Sequence, residues 1–448
     1  MLRDAWALAI ETLSWIELQR LGERLALTKA AKQLGIKDSR AVGIAHKLVF
    51  ETLRRKNLLD ALINHVLAPR SLSDFRLGLQ AFLRLYTFET KFVLPRGDFE
   101  KAATIAGMGR SVLGWRELGD VEEVLGEILN LRVDDVVSKV GDEERVALTT
   151  YHPLWFVKYC YQLLGRGEAV RFLSSATETT PTYVRVNTLR ASEENCLKQM
   201  EDEGIIVEKE TGLRHTYKVG KSAKPLVRTQ GFRGGLFYIQ DKASCVAAEV
   251  ADPEAGATVL DVCAAPGAKT TYMAQLMENR GTMYSVDYSV RRMSVWKREI
   301  RRMGVEIALP IVADARKLLP VRFEADLVVL DPPCTSTGAF SRVPSAKWRL
   351  TKRSVERMAE VQWDMLLSCA ECVKDGGFLI YSTCSVTLEE NEMLIERFLR
   401  WHPEFALAEA SPRIGVSGLR GQDRCQRLYP HVQGCNGFFV AKLLKSGS

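Results

Sequence analysis

The sequence predicts a chain of three parts: an all-helical N-terminal region, a small α+β unit and a doubly wound α/β sheet. Apolar residues recur every three to four positions from Leu2 to about Lys139. A stretch rich in Ser, Thr and Pro, SSATETTPTYVRVN, then interrupts this pattern, and from about Gly231 strand-like and helix-like segments alternate. We expect the parts to span residues 1–148, 149–230 (including a linker) and 231–448.

The composition is that of an ordinary globular protein. The 448 residues are 46% hydrophobic and 26% charged, which excludes a disordered or fibrous chain and is enough for two or three cores. Ten cysteines are scattered along the chain, and no segment has the pattern of a signal peptide or a membrane span. We therefore expect free thiols in a reducing, cytoplasmic setting.

The net charge of +7 is distributed unevenly. Residues 1–116 carry 19 Lys and Arg against 11 Asp and Glu, whereas residues 117–144 carry 2 against 10. The basic region is either a solvated helical surface or a face that follows a phosphate backbone.

Amphipathic segments such as AWALAIETLSWIEL and LGLQAFLRLYTF, separated by Gly and Pro, account for the helical region. The stretch TKAAKQLGIKDSRAVGIAHKL also has the pattern of a helix-turn-helix, which leaves a DNA-binding motif as an alternative to a plain bundle.

In the second part, TYVRVNTL and IIVEKE read as strands and EENCLKQMEDEG as a helix. In the third part, the strand candidates are ATVLDVCAA, GTMYSVDYS, IALPIVADA, ADLVVLDPP, GGFLIYST and GFFVAKLLK. The last follows a long irregular stretch, so we expect an edge strand inserted antiparallel.

A cofactor site is predicted after the first strand of this sheet. Ligands bind beyond the carboxyl ends of the strands, and the small residues of CAAPGAK let the backbone approach a ligand closely. The loop has neither a Walker A nor a GxGxxG pattern, which disfavours ATP and NAD. The next three strands end in Asp287, Asp314 and Asp331, the layout of an S-adenosylmethionine site, although each acid could instead cap a helix.

Two thiols follow strands at the same edge: Cys334 in DPPCTSTG and Cys384 in YSTCS. Carbon 5 of a pyrimidine attacks a sulfonium methyl group only after a nucleophile has added to carbon 6, and a thiolate supplies that nucleophile. Either cysteine could do so, and spacing does not choose between them. Cys369 and Cys372 form a CxxC pair, but the helical context indicates a buried helix face and not a metal site.

Two basic stretches are candidates for RNA contact, since a stacked base must be splayed out to be modified. RRMSVWKREIRR (291–302) is equally well an exposed helix face. For FSRVPSAKWRLTKR (340–353), which carries Phe340 and Trp348 directly after the Pro-Cys motif, we favour RNA contact.

With these motifs in order, the chain resembles the Sun/Fmu family of RNA 5-methylcytosine methyltransferases, and most closely its RsmB-like branch. The resemblance covers nearly the whole chain and rests on PTYVRVNTL, GLFYIQDKAS, LDVCAAPGAKT, SVDYSVRR, LDPPCTSTG, YSTCS with EENE, and GFFVAKL. It implies a Rossmann-like, S-adenosylmethionine-dependent methyltransferase domain. AHKLVFETLRRKNLLDALI resembles NusB-like RNA-binding domains, and residues 182–220 resemble the family's RNA-recognition-like subdomain.

The resemblance also implies roles for individual residues. Cys384 would be the nucleophile and Cys334 would assist release of the product, while Asp331 would hold the cytosine and help to protonate it. The cofactor-binding residues would be Cys263, Ala264, Ala265, Pro266, Gly267, Ala268, Lys269, Asp287, Arg292, Asp314 and Asp331. Ala268 and Asn436 depart from the family's usual Gly and Asp.

The function implied is cytoplasmic methylation of cytosine carbon 5 in RNA, with rRNA as the expected substrate. We expect a monomer without a metal and not associated with a membrane. The alternatives are a tRNA methyltransferase of the same chemistry and a non-catalytic RNA-binding assembly factor; both thiols and all three strand-end acids are present, which argues against the latter.

Overall fold

The computed structural model describes residues 1–95, 97–178 and 180–447, and these divide into two compact units. One comprises Met1–Thr179 with Phe340–Arg349, and the other Thr180–Ala339 with Leu350–Ser448. No described helix is both long enough and apolar enough to cross a bilayer.

The first unit is helical, as predicted. Its helices are α1 (Leu2–Gln19), α2 (Glu23–Leu34), α3 (Ser39–Arg54), α4 (Lys56–Leu67), α5 (Leu77–Phe88), α6 (Phe99–Leu113), α7 (Trp115–Leu118), α8 (Glu122–Asn130), α9 (Val133–Val137), α10 (Asp142–Thr149), α11 (Leu154–Leu164) and α12 (Arg166–Ser175). Short 3₁₀ turns lie at Leu72–Asp74 and Gly119–Val121, and a π-helical turn at Glu89–Val93. Thus α11 and α12 lie where we assigned part of the linker.

Local signals explain the helix boundaries. Gly35 ends α2 with a left-handed φ of 67°, and the Asp38 carboxylate caps α3 by accepting a hydrogen bond from the Arg40 backbone N–H. The central helix α5 buries almost every side chain, including Phe82 and Leu83, against α1 and α3. Its continuous apolar character follows from this position.

The small α+β part of the second unit contains the predicted strands and helix. Its elements are β1 (Tyr183–Val186), α13 (Glu193–Asp202), β2 (Ile205–Lys209), β3 (Thr216–Ser222), a 3₁₀ turn (Leu226–Arg228), α14 (Gln230–Arg233) and β4 (Phe237–Ile239). The strands form an antiparallel sheet in the order β2-β3-β1-β4.

All six strands predicted for the larger sheet are present. The elements are α15 (Lys242–Ala251), β5 (Thr258–Val262), α16 (Ala268–Leu276), β6 (Thr282–Asp287), α17 (Val290–Met303), β7 (Ala308–Val312), β8 (Ala325–Leu330), α18 (Pro344–Arg349, part of the helical unit), α19 (Lys352–Ala370), β9 (Val373–Thr383), α20 (Glu392–Trp401), β10 (Phe405–Ala408), β11 (Val416–Ser417), β12 (Gln426–Leu428), α21 (Pro430–Gln433) and β13 (Phe438–Lys445).

The sheet order is β11-β12-β13-β9-β8-β5-β6-β7, with β10 also pairing to β13. Strands β5 to β9 run parallel and β13 runs antiparallel to β9, as predicted. The prediction that β13 is an edge strand was wrong. The irregular stretch before it contributes three strands of two to four residues, too short to give a periodic signal, and two of these, β10 and β12, pair with β13.

The prediction that residues 340–353 contact RNA was wrong for Phe340, Lys347 and Trp348, which pack within the helical unit, whereas Arg342 is exposed. Phe340 is buried and packs edge-on against Phe156, at 5.4 Å between ring centroids. The indole N–H of Trp348 donates to the Leu53 carbonyl, and Lys347 is buried with its ammonium group 2.8 Å from the carbonyl oxygen of Tyr151. Burial against helices satisfies the aromatic and basic residues that we read as an RNA surface.

Candidate active site

The carboxyl ends of the central strands meet at one edge of the sheet. Val262 in β5 lies opposite Val286 in β6 and Leu330 in β8. The residues that follow these three strands therefore share one edge, and they include Cys263 and Asp331. The chain passes from β7 back across β5 to β8, so this edge contains the switch in strand order where α/β sheets bind ligands.

The loop after β5 is shaped for close approach to a ligand. Gly267 has a φ of 111°, and a Cβ there would lie 3.2 Å from the Trp296 ring. This position therefore requires glycine. Ala268, by contrast, is the first residue of α16 and lies in a helix, a conformation that alanine adopts readily. The departure from the family's second glycine therefore leaves the backbone of this loop unstrained.

Lys269 and Asp331 form an ion pair at the same edge, with 2.5 Å between Nζ and Oδ2. The lysine side chain is 9% exposed and the aspartate 35%. Burial alone would lower the pKa of Lys269, but the Asp331 carboxylate outweighs it and holds that pKa above its usual value. Lys269 is therefore a fixed positive charge, and Asp331 stays open to solvent on one side.

Asp287, at the end of β6, is nearly inaccessible to solvent, yet one of its oxygens is unused. Oδ1 accepts a hydrogen bond from the Ser289 backbone N–H, whereas Oδ2 lies 3.3 Å from the Arg292 guanidinium and accepts no hydrogen bond from any described residue. Arg292 donates instead to the Ala265 carbonyl. A buried carboxylate with a free acceptor suits a ligand that carries hydroxyl groups.

A cavity of about 310 Å³ lies beside these residues, within the size range of small-ligand sites. Its lining includes Cys263, Asp287, Arg292, Asp314 and Pro333. Asp314 pairs with Arg316, whose hydrogen bonds lower the pKa of the aspartate to about 2. The cavity and the free Asp287 oxygen fit the ribose end of S-adenosylmethionine.

The two candidate thiols are in contact. The sulfur atoms of Cys334 and Cys384 are 3.1 Å apart, and the Cys384 Sγ lies 3.4 Å from the Ser336 hydroxyl. Both cysteines are half-buried and neither forms a disulfide. The Gly338 N–H donates to the Cys384 carbonyl at 3.0 Å, which joins the loop after β8 to the loop after β9.

The surroundings distinguish these two thiols. The hydrogen bond from Cys334, followed by that from Ser336 and the charge of Lys269, lowers the pKa of Cys384 against the opposing effects of burial and Asp331. The bond to Cys384, burial and the Glu390 charge raise the pKa of Cys334. Of the two thiols, Cys384 is thus the one whose surroundings favour the thiolate.

The remaining cysteines show no comparable arrangement. Cys369 lies on the buried face of α19, as the helix-face interpretation predicts, whereas Cys372 is buried two residues beyond the end of that helix. Burial raises the pKa of both. Across residues 1–95, 97–178 and 180–447, no group of three or more His, Cys, Asp or Glu side chains could hold a metal ion.

Sequence reasoning missed the polar groups beneath the thiols. Glu390 and Asn391, in the acidic stretch EENE, have no exposed surface and bind the loop that contains Cys384. An acidic run is ordinarily a solvated surface, so composition alone misleads here. The signal that could have found these residues is the position of the run, which begins six residues beyond the end of β9 and ends at the first residue of α20.

Comparison with known proteins identifies the family. The model described as 16S rRNA methyltransferase RsmB/F matches residues 248–444, and a RsmF/B-like ferredoxin-like domain matches residues 152–219. A probable ribosomal RNA small subunit methyltransferase B from Bacillus subtilis is 30% identical and matches over 98% of each chain.

Two solved structures have the same architecture. The crystal structure of PH0851 is 29% identical, with a TM-score of 0.83 over 99% of each chain. The structure of NSun6 from Pyrococcus horikoshii with SFG, an analogue of S-adenosylmethionine, is 26% identical, with a TM-score of 0.62 over 66% of this chain and 99% of that one.

The chain belongs to the RsmB/F methyltransferase family. The resemblance found in the sequence is thereby confirmed, and with it the expectation of an S-adenosylmethionine-dependent RNA (cytosine-C5) methyltransferase. The family's ferredoxin-like model covers α11 and α12 and overlaps the small α+β part from β1 into β3.

Proposed function

We propose that this enzyme methylates carbon 5 of a cytosine in small-subunit rRNA, with Cys384 as nucleophile and Cys334 assisting release of the product. One observation carries the two-cysteine reaction: the two sulfur atoms are 3.1 Å apart at the sheet edge that also holds the Lys269–Asp331 pair. The full-length similarity to a small-subunit rRNA methyltransferase supports the substrate.

The difference between the two thiols supports this division of labour. Cys384, whose pKa is lowered, adds as a thiolate to carbon 6 of the cytosine, which makes carbon 5 nucleophilic. Asp331, half-buried and held by Lys269, positions the ring and helps to protonate it. The pKa of Cys334 is raised, so this residue stays a thiol while the adduct forms.

Release of the product reverses the covalent step. A water molecule takes the carbon 5 proton, the electron pair of that C–H bond restores the ring double bond, and the bond between carbon 6 and the Cys384 sulfur breaks to return the thiolate. Cys334, whose sulfur contacts that of Cys384, assists this elimination. The contact between the two cysteines thus suits a reaction in which the Cys384 sulfur bonds to carbon 6 of the cytosine and is later released from it.

The cofactor, when bound, supplies an electrophilic methyl group. The backbone of Cys263–Lys269 would cradle it, and the free Asp287 oxygen would accept from its ribose hydroxyls. Arg292 braces this loop through the Ala265 carbonyl, and Asp314 lies on the cavity wall.

RNA would be held by basic surfaces outside this pocket. Helix α17 buries Met293, Trp296 and Ile300 and exposes Arg291, Lys297, Arg298 and Arg301 on its other side. We assign the helical unit as a NusB-like RNA-binding domain of a cytoplasmic, monomeric enzyme. Such contacts to phosphates fix register, while the pocket receives a base splayed out of its helix.

Cysteine variants test the proposed roles. With RNA and S-adenosylmethionine, Cys334→Ala is expected to accumulate a protein–RNA adduct that survives a denaturing gel. Cys384→Ala is expected to form none and to lose methyl transfer by about 1,000-fold or more. Cys196→Ala, which alters a buried cysteine of the small α+β part, is the control. Full methyl transfer by Cys384→Ala would contradict the assignment.

The substrate is tested by bisulfite sequencing of total RNA from cells with and without the gene. Loss of a single methylated cytosine in small-subunit rRNA is the expected result. Loss of a tRNA site instead would identify the alternative substrate, with the same chemistry at the thiols.

A further inference from the structure

We propose that Glu390 is a positioning residue that ties the Cys334 loop to the Cys384 loop and so holds the two sulfur atoms in contact. Here the Cys334 loop means residues 334–338, after β8, and the Cys384 loop means residues 384–387, after β9. The inference deepens the proposed function and rests on it, because it assumes that both thiols take part in one reaction.

The Glu390 carboxylate binds the residue that follows each thiol. Its Oε1 accepts from the backbone N–H of Thr335 at 2.8 Å, and its Oε2 accepts from the Thr335 hydroxyl. Oε2 also accepts from the Ser385 hydroxyl at 2.6 Å. One side chain therefore joins the immediate neighbour of Cys334 to that of Cys384.

Further donors complete the shell around this carboxylate. The Thr387 hydroxyl donates to Oε2 at 2.8 Å, and the Gln362 amide donates to Oε1 at 2.9 Å. The same Gln362 amide donates to the Pro333 carbonyl at 2.9 Å, which fixes the residue before Cys334. Five donors thus reach two oxygen atoms of a side chain with no exposed surface.

The chemistry of this shell requires a carboxylate. An ionised glutamate offers acceptors only, at about four lone-pair sites, whereas a glutamine offers one acceptor oxygen and two donors. The Thr335 backbone N–H cannot reverse its direction, so a glutamine must aim its oxygen there and turn its NH₂ toward the three hydroxyl groups. Those hydroxyls then lose the acceptor that orders them.

Other bonds between the loops do not replace this one. The Gly338 N–H reaches the Cys384 carbonyl, and the Thr337 hydroxyl accepts from the Val386 N–H at 2.9 Å. Both lie three or four residues beyond Cys334 on its own loop. The Thr335 and Ser385 hydroxyls also lie 3.3 Å apart, but both donate to Glu390, whose carboxylate thereby orders the residue next to each sulfur, where a small displacement moves Sγ most.

The test is the rate at which diamide, a thiol oxidant, couples Cys334 to Cys384 in the full-length protein without RNA or cofactor. Each coupling joins the two sulfurs and passes two electrons and two protons to diamide, which becomes a hydrazine. The product is a disulfide-linked peptide pair detected by mass spectrometry. The rate reports the proximity of the thiols and requires no catalytic activity.

We expect Glu390→Gln to slow this coupling by about tenfold or more, since a displacement of about 1 Å has effects of this order or larger on reactive geometry. The electrostatic effect has the opposite sign, because removing the charge that helps to raise the pKa of Cys334 would favour its thiolate and speed the coupling. A slower rate therefore reports geometry.

The matched control is Glu249→Gln. Glu249 is a buried carboxylate in the same unit that accepts from the Tyr272 hydroxyl and the Arg214 N–H, and it contacts neither thiol loop. This variant should leave the coupling rate within about twofold of the wild type. If Glu390→Gln does not fold, Thr335→Val removes the hydroxyl bond and keeps the backbone one, and a slowing of about threefold is expected.

The second measurement is the steady-state kinetics of methyl transfer. Glu390→Gln should lower kcat by about tenfold or more while KM for RNA and for the cofactor stays within about twofold. An unchanged coupling rate, or a slower coupling with unchanged kcat, would overturn the inference. Failure of the proposed function would appear separately, as methyl transfer retained by Cys384→Ala.

Discussion

Glu390 and Lys347 are both charged side chains with almost no exposed surface, at 0% and 1% respectively, but their surroundings differ. Glu390 receives five hydrogen bonds. Lys347 donates to two backbone carbonyls, those of Arg54 and Tyr151, and in the part of the chain that the structure describes no carboxylate pairs with it. Burial, with Arg54 and Arg55 nearby, lowers the pKa of Lys347 to about 7.

The comparison shows two ways of enclosing a charge. When both oxygens of a carboxylate accept hydrogen bonds from the protein, the side chain fixes loops and has no free acceptor for a ligand. An ammonium with two carbonyl partners can instead lose its proton, since a neutral amine still has two N–H groups for two acceptors. Asp287 is a third case, a buried carboxylate with one oxygen free. The number of unused acceptors therefore separates positioning carboxylates from ligand-binding ones.

The largest effect should follow from breaking a fully partnered buried charge. Arg427 forms a buried ion pair with Glu392 and donates to the Val386 carbonyl at 2.8 Å. Arg427→Met leaves the glutamate charged and unpaired, so we expect the free energy of unfolding to fall by about 3–5 kcal/mol. Urea unfolding of the full chain measures this free energy.

The control is Arg400→Met, which breaks the exposed pair with Glu396 and should lower the free energy of unfolding by less than about 1 kcal/mol. Similar losses in the two variants would contradict the difference between buried and exposed charges.

Much of this arrangement could be predicted from the sequence. Continuous apolar runs such as VVL and FLIY identified the parallel strands, and because parallel strands end at one edge, Asp287, Asp331 and both thiols could be grouped there. These signals are local in sequence, and the positions of the strand ends determine which residues of the site lie together.

The remainder depends on contacts distant in sequence. Whether EENE or AKWR faces water is decided by residues such as Thr335 and Tyr151, which lie 55 and 196 positions from their partners Glu390 and Lys347. The difference between Cys334 and Cys384 likewise depends first on the hydrogen bond between them, 50 positions apart, and then on Ser336, Lys269 and Glu390. Hydrophobic periodicity carries no information on such pairings, so the sequence predicted RNA contact for AKWR and no buried role for EENE.

A smaller effect is expected at the carboxylate with a free oxygen. Asp287→Asn can still accept from the Ser289 N–H but no longer offers a charged acceptor on the cavity side. Affinity for S-adenosylhomocysteine, measured by calorimetry, should fall by about 10-fold to 100-fold with little change in the unfolding midpoint. Asp202→Asn, on the exposed side of α13, is the control. If Asp287→Asn instead lost much stability and kept its affinity for S-adenosylhomocysteine, Asp287 would be a positioning carboxylate like Glu390, and the ligand-binding role would be contradicted.

The last expected effect is a pH dependence of stability at Lys347, which is spread over several pH units. Its pKa in the folded protein, about 7, lies below the value of about 10.4 for an unfolded chain. Between these values the unfolded state binds the additional proton, so stability rises with pH from about 7 towards 10, by at most about 1.4 kcal/mol per pH unit. Below pH 7 both states are protonated and the cost of burying the charge is present in full.

Lys347→Met isolates this contribution, because it keeps the apolar stem and removes the titrating group. The difference in thermal midpoint between wild type and variant should favour the variant at pH 6 and shrink as the pH approaches 9, whereas Lys37→Met, at an exposed lysine of the same unit, should show no such trend. Because the carbonyls of Arg54 and Tyr151 lose their donor in the variant, wild type could overtake it at high pH. A constant difference across this range would mean that Lys347 stays charged in the fold, and its enclosure would then resemble that of Glu390.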